Sequence, residues 1–166
     1  MSKQQALDEF FLLSAYFNAT RSKCMRRQVG AVLALYDVRI SDGYNGTPRG
    51  IKNCNDGGCP RCNDKIIPSG QGLDKCICIH AESNAILNAH TSVKGTTLYV
   101  TTSPCLYCAK EIVQVGIIRV VYNEMYSNVK EIEEFLKQGN IPCEQFLIDQ
   151  LKKEEILGLL TKPNTK

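Results

Sequence analysis

A histidine, a glutamate and two cysteines, His80, Glu82, Cys105 and Cys108, form the most reactive combination in this sequence. Cys105 and Cys108 stand at i and i+3, which puts both sulfurs on one face of a helix. Pro104 suits the first turn of that helix, where its missing N–H costs nothing. The positive end of a helix favours the thiolate, the form that binds metal. His80, at the predicted start of another helix, supplies a third ligand. Three protein ligands leave a tetrahedral zinc one open position for water, the arrangement of a catalytic site. Two thiolates neutralise much of the ion's charge, so a proton acceptor beside the water is useful. Glu82 is that acceptor, able to act first as base and then as acid. A lone Cys-x-x-Cys is weak evidence, and a His-x-Glu on a helix is ordinarily a solvated pair. Their combination, in this order and on helix starts, points to catalysis. His90, the other histidine, is placed further along the helix of His80 and receives no role.

The elements that must position these residues follow from periodicity. Ala6, Phe10, Leu13 and Phe17 form one stripe of a predicted helix over 4–19. Val29 to Leu35 and Val38 to Tyr44 read as strands of a hairpin. Further on, helices are expected over His80–His90, Pro104–Val115, Val129–Gln138 and Asp149–Leu160. Strands are expected over Thr96–Thr102, Ile117–Tyr122 and Cys143–Ile148, with Cys143 in the core. Strands alternating with helices imply an α/β domain with a largely parallel sheet. Residues 1–160 read as a single domain and 161–166 as a loose C-terminal tail. Between Asn45 and Asp74 periodicity vanishes, and five glycines fall from Gly46 to Gly70. An irregular stretch of this length inside a compact domain needs a pin. Cys54, Cys59 and Cys62 lie within it.

Bulk composition narrows the classes. The 166 residues are 43% hydrophobic and 22% charged, ordinary globular usage that argues against disorder. A net charge of +3 is too small for a nucleic-acid coat but permits a local anion pocket. No basic segment followed by an apolar run opens the chain, and no stretch approaches a membrane span. A cytoplasmic location is the expectation. Nine cysteines in such a chain point to metal binding or catalysis rather than disulfides.

His80-Ala81-Glu82 followed by Pro104-Cys105-Leu106-Tyr107-Cys108 is the H-x-E … P-C-x-x-C pattern of zinc-dependent nucleobase deaminases. Further segments make the resemblance narrower. Gly43-Tyr44-Asn45-Gly46-Thr47-Pro48-Arg49-Gly50, Arg21 to Cys24, Gln28 to Ala31, Cys78 to Ile86, Thr102 to Lys110 and Tyr122 to Tyr126 resemble the deoxycytidylate deaminase family. The likeness runs from about residue 8 to 148. Gly58-Cys59-Pro60-Arg61-Cys62-Asn63 is similar to a variant in fungal and some bacterial or viral members. The resemblance implies a cytidine-deaminase fold, a three-layer α/β/α arrangement with a five-stranded mixed sheet. It also implies hydrolytic deamination of dCMP to dUMP and ammonia, feeding thymidylate synthesis. Glu82 would take a proton from metal-activated water attacking C4, pass it to N3, and finally protonate the leaving ammonia. Asn45 would hydrogen-bond the deoxyribose 3′-hydroxyl, and Tyr126 would help close the pocket. Ser22, Arg26 and Arg27, with Lys23, are candidates for the 5′-phosphate. A homohexamer under dCTP and dTTP control is the family's habit.

A second, structural zinc is expected for the glycine-rich loop, since thiolate sites couple metal binding to folding. The resemblance points to Cys24 and Cys54 as two of its ligands. Cys59, Cys62 and Cys76 compete for the other two places, and Cys78 ranks last because an extended chain would turn it away from Cys76. Buried cysteine that binds nothing is the plain alternative. The rival functions are a dCTP deaminase, a free-nucleoside cytidine deaminase, a transfer-RNA adenosine deaminase and a non-enzymatic zinc module. The modest charge disfavours the RNA enzyme, and the zinc module leaves Glu82 without work.

Overall fold

The computed structural model describes residues 1–68, 70–126 and 129–161. Five strands form one sheet in the order β2-β1-β3-β4-β5: β1 is Gly30–Leu35, β2 Val38–Tyr44, β3 Thr97–Thr102, β4 Arg119–Glu124 and β5 Cys143–Gln145. Strand β1 runs antiparallel to both β2 and β3, whereas β3, β4 and β5 are mutually parallel. The sheet is therefore mixed, and only its β3-β4-β5 half has the parallel order that alternation suggests.

Among the described residues six α-helices accompany the strands: α1 Lys3–Ala19, α2 Pro60–Asn63, α3 Ala81–Leu87, α4 Leu106–Val115, α5 Val129–Gln138 and α6 Gln150–Thr161. Successive side chains of a strand point to opposite faces, and the cores obey this. Ala31, Leu33, Leu98, Val100, Val120 and Tyr122 pack toward α3, α4 and α5. Val32, Ala34, Tyr99 and Val121 pack on the other side against Phe11, Leu12 and Ala15 of α1, with Leu157 of α6. Three layers result. No helix among the described residues is long and apolar enough to cross a membrane.

Helix α1 forms where its sequence predicts, opened by a capping box between Ser2 and Gln5. Its buried face differs from the expected one. Phe10 and Phe17 are 61% and 48% exposed, while Asp8, Phe11, Leu12, Ala15, Tyr16 and Ala19 are buried. The reason is Asp8. Its carboxylate accepts hydrogen bonds from Arg119 of β4 at 2.7 and 3.0 Å, from the Tyr99 hydroxyl at 3.0 Å and from Gln4 at 2.9 Å. A charged residue on the inner stripe conceals that stripe from a hydrophobicity pattern.

Other boundaries also shift. Helix α3 stops at Leu87, leaving His90 beyond it and exposed. Strand β5 ends at Gln145 rather than Ile148, where side chains take over from the ladder: Asn123 Nδ2 donates to Phe146 O and Gln145 Nε2 to Asn123 O. Cys143 packs against the core as expected. Thr161 closes α6 instead of opening a tail, and residues 162–166 lie outside the described residues.

Two glycines let helices lie flat on the sheet. A Cβ at Gly30 would stand 1.9 Å from Ala15 O of α1, and one at Gly43 2.3 Å from Ala81 O and 2.4 Å from Ala85 N of α3. The second contact seats the start of α3 against β2.

Candidate active site and cysteine cluster

Two helix starts meet on the sheet. His80 is the N-cap of α3 and Cys105 the N-cap of α4, both in extended conformation, so Pro104 precedes the helix instead of occupying its first turn. Cys108, one turn into α4, is fully buried. His80 Nδ1 lies 3.2 Å from Cys108 Sγ and 3.4 Å from Cys105 Sγ, and the two sulfurs are 3.7 Å apart. Around a tetrahedral zinc the corresponding nitrogen–sulfur and sulfur–sulfur edges are about 3.6 and 3.8 Å. The trio fits that ion. The Cys108 hydrogen bond pushes the Cys105 thiol down to about 4, and Cys105 in turn pushes the Cys108 thiol up.

Glu82, in the first turn of α3, is only 4% exposed. Burial pushes its carboxyl up to about 7, against the opposing pull of charged His80. A carboxyl balanced near neutrality can both take and give a proton. It faces a pocket that it lines with His80, Cys105, Asn45, Arg27 and Tyr126.

The far wall sorts the candidates that sequence could only group together. Ser22 is buried, and its hydroxyl donates to Asn45 O and Oδ1, each at 2.8 Å. It therefore holds Asn45 and is not among the pocket-lining residues. Asn45 Oδ1 also accepts from Val29 N at 2.8 Å, and Nδ2 donates to Arg27 O at 2.8 Å. Arg26 spends its guanidinium on the carbonyls of Cys62, Asp64 and Ile67. Arg27 keeps its guanidinium over the Tyr126 ring, 5.1 Å from the centroid. Tyr126 is anchored by its own N–H to Ser103 Oγ at 2.8 Å. Lys23 is exposed and does not line the pocket. Sequence reasoning missed Arg61, which is 5% exposed and staples the irregular loop by donating to Gln71 O at 2.8 and 3.0 Å. A loop without periodicity carries no signal that one of its arginines is buried.

Beside the pocket, Cys24, Cys54, Cys59, Cys62, Cys76 and Cys78 converge. Two quartets each bring their sulfurs within 4.8 Å of one another: Cys24, Cys54, Cys62 and Cys78, and Cys59, Cys62, Cys76 and Cys78. All five expected cysteines are present. Cys78, expected last, belongs to both quartets. The chain leaves a 3-10 turn at Cys76 instead of running as a regular strand, so the sulfurs of Cys76 and Cys78 turn toward the same centre.

Comparison with known proteins agrees with this geometry. A family model of the cytidine and deoxycytidylate deaminase zinc-binding region matches residues 5–124. The deoxycytidylate deaminase of Schizosaccharomyces pombe is 44% identical over 142 residues, covering 84% of this chain and 44% of that protein. The chain thus spans less than half the length of that relative. A deoxycytidylate deaminase of Mycobacterium phage D29 is 42% identical over 121 residues, covering 69% of this chain and 92% of its own. Among solved structures, the dCMP deaminase of cyanophage S-TIM5 in complex with dCMP and dUMP superimposes with a TM-score of 0.69 at 28% identity. That match covers 88% of this chain and 99% of the phage protein.

Proposed function

The chain belongs to the cytidine and deoxycytidylate deaminase zinc-binding family, and from that premise we propose that it hydrolyses dCMP to dUMP and ammonia. One observation carries the reading: buried Glu82 stands beside the His80, Cys105 and Cys108 trio, in a pocket that Arg27 and Asn45 also line. When bound, zinc supplies Lewis acidity and a lowered pKa for water at its open position. Glu82 accepts one proton of the attacking water and delivers it to N3 of the cytosine; it then takes the second proton, from the new C4 hydroxyl, and hands it to the amine as the C4–N bond breaks and the carbonyl forms. Asn45 turns its second Nδ2 hydrogen to the deoxyribose 3′-hydroxyl; its first is engaged by Arg27 O. Arg27, stacked on Tyr126, meets the 5′-phosphate, whereas the guanidinium of Arg26 is already engaged by loop carbonyls.

The same reading includes a structural zinc in the cysteine cluster, a homohexameric assembly, and control by dCTP and dTTP in a cytoplasmic enzyme that feeds thymidylate synthesis. The outward Phe10 and Phe17 of α1 are apolar surface that an assembly would cover. Turnover of dCMP, dCTP, deoxycytidine, cytidine and transfer RNA, with and without dCTP and dTTP, tests the assignment. dCMP should be preferred by orders of magnitude in kcat/KM, because buried polar groups left unpaired by a truncated substrate are costly. Comparable turnover of deoxycytidine overturns the monophosphate reading.

A further inference from the structure

We infer that the six-cysteine cluster binds two zinc ions, with Cys62 and Cys78 bridging them, Cys24 and Cys54 completing one tetrahedron, and Cys59 and Cys76 the other. The inference deepens the proposed single structural zinc and departs from it in stoichiometry. Its basis is that the two quartets share two members and no more. Two tetrahedra joined along one edge require that topology. The measured sulfur separations fit it: Cys24–Cys62 is 3.9 Å, Cys62–Cys76 3.6 Å and Cys59–Cys76 3.8 Å. A zinc–sulfur bond near 2.3 Å gives a tetrahedral edge of about 3.8 Å.

Neither disulfides nor plain core packing accounts for the cluster. All nine cysteines are free thiols, and the contacts are far longer than the roughly 2.05 Å of a disulfide. In an apolar core, cysteine would mix with aliphatic neighbours. Here the buried members are Cys54, Cys59, Cys62 and Cys78, and the partly buried residues packed on them are Cys24 and Cys76. A single ion in the first quartet would leave Cys59 without a ligand role, and one in the second would leave Cys54, although both are fully buried. The backbone is shaped for convergence. Gly57 has φ +89°, and a Cβ at Gly58 would stand 1.7 Å from Lys52 O, so the chain reverses sharply between Cys54 and Cys59. Backbone N–H groups also address the sulfurs, with Met25 N donating to Cys54 Sγ at 3.5 Å. Such donors stabilise thiolates.

The cluster's place suggests its task. Cys24 lies just before Arg26 and Arg27, and Cys78 lies two residues before His80. Two bridged ions would tie both pocket walls to one inorganic core and hold a loop that has little packing of its own.

Native mass spectrometry of the zinc-loaded full chain should give three zincs per chain, one for the His80 trio and two for the cluster. Two zincs per chain overturns the bridged pair while keeping a single structural ion; one overturns both. Replacement of zinc by cadmium-113 should show three resonances, two of them coupled to each other through shared sulfur, and the absence of any such coupling overturns the bridge. Cys62→Ser should lose two zincs together, whereas Cys143→Ser, outside the cluster, should keep all three. If Cys62→Ser does not fold, the wild-type count and the cadmium coupling still decide.

Discussion

On the proposed reading Glu82 serves the chemistry and Arg27 the recognition, and each role can be tested by one substitution. Glu82→Gln preserves shape and hydrogen bonding but cannot shuttle a proton. It should keep its zinc and its melting temperature while kcat on dCMP falls by at least about 10²–10⁴-fold. Activity within tenfold of wild type would remove Glu82 from the mechanism. Arg27→Ala deletes a guanidinium that lies over the Tyr126 ring. A hydrogen bond to a charged group contributes about 1.5–3 kcal/mol, so kcat/KM on dCMP should drop about ten- to a hundredfold. Any residual turnover of deoxycytidine should be unchanged. Equal losses on both substrates would mean that Arg27 merely supports the fold. Ser22 acts one step back, through Asn45, and its effect should track that of Asn45.

At the scale of elements, the contact of α3 with β2 decides whether His80 and Glu82 reach their places. Gly43 allows it, because a Cβ there would press on Ala81 O at 2.3 Å and Ala85 N at 2.4 Å, both helix backbone. Backbone cannot swing aside as a side chain can. Gly43→Ala should therefore lift α3, costing about 1–3 kcal/mol of stability. It should also lower kcat, because Glu82 moves with the helix. Gly46→Ala is the control, since a Cβ at Gly46 meets nothing within 4 Å. Calorimetry and steady-state kinetics on the pair would show whether close approach or mere glycine content matters. Equal melting temperatures would defeat the idea.

Across the whole molecule, the Asp8–Arg119 pair joins α1 to the sheet, and Arg119 continues to Glu144 of β5. Burial alone would raise the Asp8 carboxyl, but hydrogen bonds from Arg119, Gln4 and Tyr99 hold it below its ordinary 3.8. A depressed carboxyl contributes stability above its unfolded value, and that stability is lost as pH falls through the folded one. Resistance to urea should thus weaken below pH 3.8 in wild type, with a shallower fall in Asp8→Asn. Arg119→Met strands the buried carboxylate and should cost about 3–5 kcal/mol at neutral pH. A pH dependence identical in wild type and Asp8→Asn would show that other carboxylates govern acid unfolding.

His80, Glu82, Cys105 and Cys108 could be nominated together from the sequence because each motif is short and its residue types are those of metal ligands and a proton carrier. Cys105 and Cys108 need only helix geometry to converge, whereas the meeting of His80 with them depends on how the sheet sets α3 beside α4. Strand and helix positions were legible for a similar reason, since periods of 2.0 and 3.6 are written residue by residue. Tertiary structure alone decided which face of α1 is buried, because the inner stripe carries Asp8, whose partner Arg119 is far away in the chain. It also separated Arg26 from Arg27, adjacent and identical in type, by giving one of them loop carbonyls to bind. The cysteine cluster draws on three separate segments, around Cys24, Cys54 to Cys62, and Cys76 to Cys78. Spacing along the chain could nominate its members, but only the fold could show that Cys62 and Cys78 sit at the centre. Which sulfurs touch is set by the path of the backbone between them, and that path depends on turns and contacts that no local pattern encodes.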